Sequence, residues 1–182
     1  MPFEFTILDA LQALRCPALD TLAVFFDYAG AHGEIWVAFS AVLLVFRRTR
    51  RAGLAMALAL GLYMLAGHCA LKPLFARPRP CDLRPAMLAL VARPHGWSFP
   101  SGHTASGFAA AFALWRQNRK LGVPALWLAA LIGFTRMYLY VHFPTDILGG
   151  IALGLALGAC GAVLADKVSN KWAKHSEVKR TV

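Results

Sequence analysis

The sequence predicts an all-α protein, an integral membrane helical bundle, and three observations support this fold class. Of the 182 residues, 58% are hydrophobic and only 15% are charged, and the mean hydropathy is +0.54. Several apolar runs approach the roughly 20 residues with which a helix crosses a bilayer. Basic residues gather at the ends of these runs, as they do in the cytoplasmic loops of membrane proteins. Residues 1–182 are expected to form a single domain.

Residues 1–16 are predicted to form an amphipathic helix at the membrane interface, because apolar and polar positions alternate until Cys16-Pro17 ends the pattern. The first five residues hold no basic segment, so no cleaved signal peptide is expected. Residues 18–31 are apolar but short, and they hold Asp20 and Asp27. This segment either crosses the membrane at a tilt or stays in the interface, and the sequence leaves both options open.

The remaining apolar runs bring the predicted total to five or six transmembrane spans. The five clearer runs are residues 33–50, 52–72, 102–119, 122–142 and 145–166. Between residues 73 and 100 lies a polar, proline-rich loop, which cannot enter hydrocarbon because its backbone would lack hydrogen-bond partners. In the last run, Gly150, Gly154 and Gly158 recur every four residues and predict close helix packing, within the bundle rather than at a dimer face.

Three basic clusters predict how the bundle is oriented. They are Arg47–Arg51, Arg116–Lys120 and the tail at residues 167–182. If the first lies inside, alternate crossings place all three on the cytoplasmic side. The loop at 73–100 and the outer ends of the later spans then face outwards. We therefore expect a multi-pass protein of the cell membrane with a basic cytoplasmic tail. Because the net charge of +10 follows this pattern, nucleic-acid binding is not predicted.

The four cysteines do not predict a metal site. Cys16, Cys69, Cys81 and Cys160 show no CxxC spacing. Cys69 and Cys81 belong to the same outer side of the predicted bundle, so a disulfide between them is one interpretation. Four free thiols are the favoured interpretation.

Residues suited to phosphate chemistry lie in three stretches on the predicted outer side. Breaking a phosphate ester requires cations to hold the charge, a nucleophile in line, and a proton for the leaving oxygen. Lys72, Arg79 and Arg136 can supply the cations, and the planar fork of arginine matches phosphate oxygens. Ser101-Gly102 precedes a predicted helix, whose first backbone N–H groups bind anions.

Two histidines and a carboxylate complete the set of groups. His142 ends one predicted span, Pro144 stops that helix, and Asp146 falls in the first turn of the next. A carboxylate four residues away can orient an imidazole and stabilise its charged form. We therefore assign His142 as nucleophile, Asp146 as its orienting group and His103 as general acid. A metal centre of His103, His142 and Asp146 is the alternative, disfavoured because three neighbouring cations would repel a divalent ion.

These stretches resemble the three-part signature of the type 2 phosphatidic acid phosphatase superfamily. That signature is a lysine, six residues and Arg-Pro; then Pro-Ser-Gly-His; then Ser-Arg, five residues, a histidine, three residues and an aspartate. It is matched between residues 72 and 146 by Lys72 with Arg79-Pro80, by Pro100–His103, and by Arg136, His142 and Asp146. Thr135 replaces the usual serine and keeps the hydroxyl.

The resemblance implies an all-α bundle with a six-helix core and hydrolysis through a phosphohistidine, without metal or cofactor. It implies that His142 is the nucleophile and that His103 protonates the leaving group. The phosphoryl group would be held by Lys72, Arg79, Ser101, Gly102 and Arg136. Four further residues of the motif loop, Arg77, Arg84, Arg93 and His95, are expected to be solvated, with contact to a diphosphate or head group as the alternative.

The predicted function is hydrolysis of a phosphate or diphosphate monoester on a membrane lipid, at the extracytoplasmic face. Small proteins that resemble this one often act on polyprenyl diphosphates, so undecaprenyl diphosphate is the first choice. Phosphatidate or phosphatidylglycerophosphate comes next, followed by lipid A. A lipid phosphotransferase and a non-enzymatic lipid-binding protein are the alternatives from other classes. The expected partners are the lipid substrate and the bilayer, while the sequence leaves the oligomeric state open.

Overall fold

The computed structural model describes residues 2–30, 33–87 and 90–178, with side chains as far as residue 172. Regular structure in these residues is entirely helical, which confirms the predicted all-α class. The α-helices are α1 (Pro2–Ala13), α2 (Pro17–Gly30), α3 (Glu34–Val45), α4 (Arg50–Tyr63), α5 (Lys72–Phe75), α6 (Pro80–Leu83), α7 (Gly102–Gln117), α8 (Arg119–Tyr138) and α9 (Pro144–Val178). A π-helical segment, Met64–Leu71, joins α4 to α5.

Helix α7 lies at the centre of the bundle, packed against α4, α8 and α9. Small side chains permit this packing, since five alanines of α7 are fully buried: Ala105, Ala109, Ala110, Ala111 and Ala113. On α9, a Cβ atom at Gly154 would lie 2.7 Å from the Ala105 carbonyl oxygen, so a larger residue would push the helices apart. Gly150 and Gly158 are equally crowded by α7. The predicted packing of the glycine stripe within the bundle is confirmed.

The candidate membrane spans among the described residues number three, or four if a bent pair is counted. They are the stretch Arg50–Leu83, α8 and the part of α9 from Pro144 to Trp172. Helices α2 and α3, inclined by 54°, together form a broken fourth candidate. The sequence predicted five or six spans because α7 is also apolar. With 16 residues, α7 is only about 24 Å long, shorter than a bilayer core of about 30 Å.

Helix α1 is the predicted N-terminal amphipathic helix, and one face of it is docked on the bundle. Leu8 is fully buried and packs with Tyr140 and Phe143, which lie between α8 and α9. Glu4 is buried on the same helix, whereas Phe3 remains exposed. Contact of α1 with a membrane interface stays a prediction, but the docking places its acidic residues next to the candidate site.

The first two basic clusters, Arg47–Arg51 and Arg116–Lys120, lie at the end of the bundle opposite the three motif stretches. There, Asp166 of α9 accepts hydrogen bonds from Arg51 Nε at 2.8 Å and from Gln117 Nε2 at 2.7 Å. These contacts join the start of α4, the end of α7 and α9. Helix α9 continues to Val178, so the first part of the predicted tail at 167–182 is helical. Residues 179–182 of that tail lie outside the described residues.

All four cysteines are free thiols, which confirms the favoured interpretation. Cys81 is buried, whereas Cys69 is exposed. The two halves of the suggested disulfide therefore occupy different environments.

Candidate active site

One end of the bundle encloses a cavity of about 550 Å³. Its walls come from the end of α2, the π-helical segment, the loop at residues 92–95, the start of α7 and the end of α8. Six predicted site residues line it: Lys72, Arg79, Gly102, His103, Arg136 and His142. The other two, Ser101 and Asp146, are fully buried behind Gly102 and His142. The structure thus brings together stretches that are far apart in the sequence.

His142 lies in the turn between α8 and α9, with its ring almost fully buried. Its Nε2 atom is 3.0 Å from Nη1 of Arg79, a group that can only donate, so Nε2 carries the lone pair. Its Nδ1 atom is 3.3 Å from Ser98 Oγ and 3.4 Å from Asp146 Oδ2, so Nδ1 carries the proton. In this tautomer Nε2, on the side of the ring that faces Arg79, is the nitrogen that carries the lone pair.

The Asp146 carboxylate is fixed by hydrogen bonds behind the His142 ring. Its Oδ2 atom accepts from Ser98 Oγ at 2.5 Å and from the Phe143 N–H at 2.8 Å. Its Oδ1 atom accepts from Arg77 Nη1 at 2.6 Å. A carboxylate with both oxygens occupied cannot rotate freely. It can therefore hold the imidazole in one orientation and stabilise positive charge on it.

Arg79 is held rigidly by main-chain oxygen atoms of the motif loop and the α8–α9 turn. Its guanidinium donates to the carbonyl oxygens of Gly96 at 3.0 Å, Val141 at 3.1 Å and Trp97 at 3.3 Å. The side chain is 3% exposed, and it reaches the cavity next to His142. A guanidinium fixed in this way can hold phosphate oxygens with little further loss of side-chain freedom.

Lys72 and the start of α7 form another part of the cavity wall. Lys72 Nζ donates to the Trp97 carbonyl oxygen at 2.9 Å. A Cβ atom at position 102 would lie 2.7 Å from the Tyr63 hydroxyl oxygen and 3.9 Å from Lys72 Nζ. Glycine at this position therefore leaves the helix start open to the cavity, where a phosphate could approach the backbone.

Ser101 precedes this helix start but does not line the cavity. Its hydroxyl oxygen accepts a hydrogen bond from Thr104 Oγ1 at 3.0 Å. Its backbone N–H donates to the Asp146 carbonyl oxygen at 3.0 Å. These contacts tie α7 to α9, and the phosphate-binding role of Ser101 stays a prediction.

Arg136 forms an ion pair with Asp27, which reaches the cavity from α2. Arg136 is almost fully buried, so this carboxylate balances a charge that is otherwise shielded from water. Asp27 Oδ1 also lies 4.0 Å from His103 Nε2. One carboxylate therefore stands beside both a predicted phosphate-binding cation and the predicted general acid. A phosphate bound to Arg136 would compete with Asp27.

The expectation that the motif-loop cations are solvated is wrong for Arg77. Its guanidinium donates to Asp146 at 2.6 Å and to Glu4 at 2.7 Å, and it lies 4.2 Å from the ring centroid of Phe143. Its side chain is only 16% exposed. The sequence did not show that two carboxylates and an aromatic ring would converge on this residue.

The other three motif-loop residues are more exposed. Arg84 pairs with Asp9 of α1 at 2.7 Å, with 42% of its side chain exposed. Arg93 and His95 line the cavity at its exposed rim. Their position is compatible with contact to a second phosphate or a head group, the alternative that the sequence had left open.

A model of the PAP2 superfamily matches residues 48–169, which is more than half of the chain. The chain belongs to the PAP2 superfamily. This confirms the resemblance that the three stretches carry. As a PAP2 member, the protein is a membrane protein and a lipid phosphatase.

Individual PAP2 relatives resemble the chain over most of its length. An undecaprenyl-diphosphatase from Sulfolobus acidocaldarius is 29% identical over 84% of this chain and 73% of its own. A decaprenylphosphoryl-5-phosphoribose phosphatase from Mycolicibacterium smegmatis is 33% identical over 81% of each chain. The crystal structure of a transmembrane PAP2-type phosphatidylglycerolphosphate phosphatase from Bacillus subtilis is similar with a TM-score of 0.71 and 29% identity, covering 93% of this chain and 86% of that one.

In this PAP2 protein, burial lowers the pKa of His142 well below its ordinary value of 6.5, because the charged ring would be poorly solvated. The hydrogen bond to Asp146 opposes this effect, and the charges of Arg79 and Arg136 reinforce it. His142 is therefore neutral at physiological pH. A neutral ring keeps the Nε2 lone pair available for attack.

The lowered pKa predicts a pH-dependent stability. In the unfolded chain, His142 binds a proton below about pH 6.5, whereas in the folded protein its ring stays neutral. The contribution of His142 to the free energy of unfolding is therefore complete above that pH and declines as the pH falls. The melting temperature of the wild type relative to His142→Gln should be constant from pH 8 to about pH 6.5 and fall towards pH 5. Thermal melts in detergent measure it. A constant difference at all pH values would contradict a neutral buried ring.

Three contributors to the PAP2 site lay outside the sequence predictions: Asp27, Ser98 and Glu4. Asp27 carried a signal, since a carboxylate in an apolar segment usually faces a polar partner inside the bundle. Ser98 carried none, because serine is common in loops. Glu4 lies in a helix that was assigned to the membrane interface, so its contact with the motif loop was not foreseen.

Proposed function

We propose that the protein hydrolyses a phosphate or diphosphate monoester on a membrane lipid through a phosphohistidine at His142. The observation that carries the proposal is the environment of the His142 ring. Its Nε2 atom faces Arg79 at 3.0 Å on the cavity side, while Asp146 and Ser98 lie against Nδ1. A neutral nucleophile thus stands next to a fixed cation and is oriented from behind by a carboxylate.

In the first half of the reaction, the Nε2 lone pair attacks phosphorus while the bond to the leaving oxygen breaks. His103 donates a proton to that oxygen. Positive charge then develops on the His142 ring, where Asp146 stabilises it. In the second half, His103 accepts a proton from a water molecule whose oxygen attacks phosphorus. The P–N bond breaks, inorganic phosphate leaves, and both histidines return to their starting states.

The charge of the transferring group is held by Lys72, Arg79 and Arg136, so the proposed reaction uses no metal ion. All three side chains line the same cavity. The Arg79 guanidinium occupies the position next to Nε2 where an ion bound to His142 would have to lie. Cations placed in this way stabilise the spread negative charge of the transition state without the need for a metal.

Undecaprenyl diphosphate is the proposed substrate. Arg93 and His95 at the cavity rim add nitrogen donors beyond the three phosphate-binding cations, as a second phosphate would require. Two relatives have names that refer to polyprenyl-linked substrates, an undecaprenyl-diphosphatase and a decaprenylphosphoryl-5-phosphoribose phosphatase. Phosphatidylglycerophosphate is the second candidate, since the Bacillus subtilis structure is a phosphatidylglycerolphosphate phosphatase.

The proposed site faces the extracytoplasmic side of a multi-pass bundle in the cell membrane. The cavity lies at the end of the bundle where α7 begins and α8 ends. Arg51 and its basic neighbours lie at the opposite end, joined to Asp166. Basic clusters prefer the cytoplasmic side, so the cavity end is assigned to the outer side.

Phosphate release by the detergent-purified protein tests this function. We expect undecaprenyl diphosphate to be hydrolysed faster than phosphatidate or phosphatidylglycerophosphate, with the rate unchanged by EDTA because protein cations hold the phosphate. The release should disappear in the His142→Ala variant. Each lipid is tested with and without EDTA, and with the variant beside the wild type.

Each part of the proposal has its own contrary result. Loss of release in EDTA, restored by added Mg²⁺, would contradict the metal-independent mechanism. A preference for phosphatidylglycerophosphate would replace the proposed substrate and leave the histidine mechanism intact. Release that persists in His142→Ala would overturn the phosphohistidine itself.

A further inference from the structure

Helix α1 covers the side of the catalytic turn that faces away from the cavity. Leu8 packs against Tyr140 and Phe143, the two residues on either side of Val141-His142. Glu4 lies one turn before Leu8 on the same buried face. Its carboxylate contacts Thr145 at the start of α9 and Arg77 of the motif loop. None of the mechanistic steps described above uses this helix.

The Glu4 carboxylate is divided between two partners. Its Oε2 atom accepts a hydrogen bond from Arg77 Nη2 at 2.7 Å, and its Oε1 atom accepts from Thr145 Oγ1 at 2.5 Å. Arg77 Nη1 donates at 2.6 Å to Asp146 Oδ1 and at 2.7 Å to Thr145 Oγ1. The contacts form a closed group of three side chains around Asp146, all of them away from the cavity.

From α1 towards the cavity, negative and positive side chains alternate in the order Glu4, Arg77 and Asp146. The last of these, Asp146, contacts the His142 ring. Among the described residues, Arg77 is the one guanidinium that contacts Asp146, and Glu4 is its other acidic partner. Without Glu4, Nη2 of the guanidinium would lose its carboxylate partner, although the Arg77 side chain is only 16% exposed. Arg77 would then draw the Asp146 carboxylate away from His142, or leave it unsupported.

We propose that Glu4 is a positioning residue for the Asp146–His142 pair, which it reaches through Arg77. It touches neither the phosphate nor the reacting nitrogen. The proposal rests on the proposed function, in which Asp146 orients the nucleophile. Helix α1 then belongs to the catalytic assembly, in addition to any contact that it makes with lipid.

The isosteric variant Glu4→Gln tests this role, with Asp9→Asn as a matched control. Asp9 lies on the same helix and also docks it to the bundle, through Arg84 at 2.7 Å and the Tyr140 hydroxyl at 2.8 Å. It makes no contact with Arg77. A loss of activity that arises from weaker docking of α1 should therefore appear in both variants. A loss that arises because Arg77 no longer holds Asp146 in place should appear only in Glu4→Gln.

We expect Glu4→Gln to lower kcat by about 10-fold to 100-fold, the effect typical of removing the group that orients a functional side chain, with KM within about twofold of the wild type. Asp9→Asn should keep the wild-type kcat. The double variant Glu4→Gln with Arg77→Gln should be no slower than Arg77→Gln alone, because Glu4 acts on Asp146 only through Arg77. Initial rates across a range of lipid concentrations in mixed micelles, with melting temperatures beside them, provide these numbers.

A kcat of Glu4→Gln within twofold of the wild type would overturn the proposal, and so would equal losses in Glu4→Gln and Asp9→Asn. Should Glu4→Gln fail to fold, Arg77→Lys replaces it, since lysine keeps the charge but cannot bridge Glu4 and Asp146 together. An unchanged kcat in that variant would overturn the proposal as well. The His142→Ala variant separates this failure from failure of the proposed function, because full phosphate release there would contradict the nucleophile itself.

Discussion

The His142→Ala variant is expected to lose phosphate release by about four to six orders of magnitude, the loss seen when the nucleophile of a covalent mechanism is removed. The reason is geometric. His142 Nε2 is the ring nitrogen next to Arg79, and it is unprotonated because Nδ1 carries the proton towards Asp146 and Ser98. Alanine removes the proposed attacking atom and leaves in place the three cations that are proposed to bind the phosphate. Lipid binding should therefore survive while turnover stops.

Two measurements separate this result from misfolding. Rapid acid-free quenching with ³²P-labelled lipid should trap a labelled, acid-labile and base-stable phosphoryl protein in the wild type and none in the variant. Added imidazole should restore part of the release, because the vacated space next to Arg79 can accept a free ring. A labelled His142→Ala protein, or a variant that turns over at the wild-type rate, would contradict the assignment of the nucleophile.

Much of the fold was accessible from local sequence signals. Ser101-Gly102 marks the start of α7, as the pattern predicted, and α9 begins at Pro144, one residue before the predicted run at 145–166. The end of α8 was predicted four residues too late. The helix ends at Tyr138, because residues 139–143 form a tight turn in which the Val141 N–H bonds to the Arg136 carbonyl oxygen. Hydrophobicity continues through that turn, so an apolar run could not reveal it.

In the candidate site too, local sequence signals predicted some residues and not others. Residues in short motifs were found because their chemistry is visible in their spacing, and the cavity brings six of them together. The ion pairs that support them were not found, although Arg77 itself had been named in the motif loop. Asp27, Glu4 and Arg77 act through ion pairs between helices that are distant in the chain. Pairing of that kind is fixed by packing, and no local pattern in one sequence encodes it.

Asp27 leads to the second large effect, at Arg136. Arg136→Ala is expected to lower kcat/KM by about 100-fold to 1,000-fold, the cost of removing one donor to a developing negative charge. The structure adds a further penalty, since Asp27 would lose the cation that balances it and remain as a negative charge in the phosphate cavity. Like charge at the binding site opposes entry of an anionic substrate.

The double variant Arg136→Ala with Asp27→Asn tests this second contribution. Removing the unbalanced carboxylate should return part of the lost kcat/KM, mainly through a lower KM, because the phosphate no longer meets a negative wall. Asp20→Asn combined with Arg136→Ala is the matched control. Asp20 lies on the same helix but is bound to Arg15 and to the Tyr138 hydroxyl, at 3.2 Å and 2.6 Å. If the double variant with Asp27→Asn is as slow as Arg136→Ala alone, the unbalanced charge of Asp27 does not explain the loss. Asp27 Oδ1 lies 4.0 Å from His103 Nε2, so a role of Asp27 beside the proposed general acid would then account for the result.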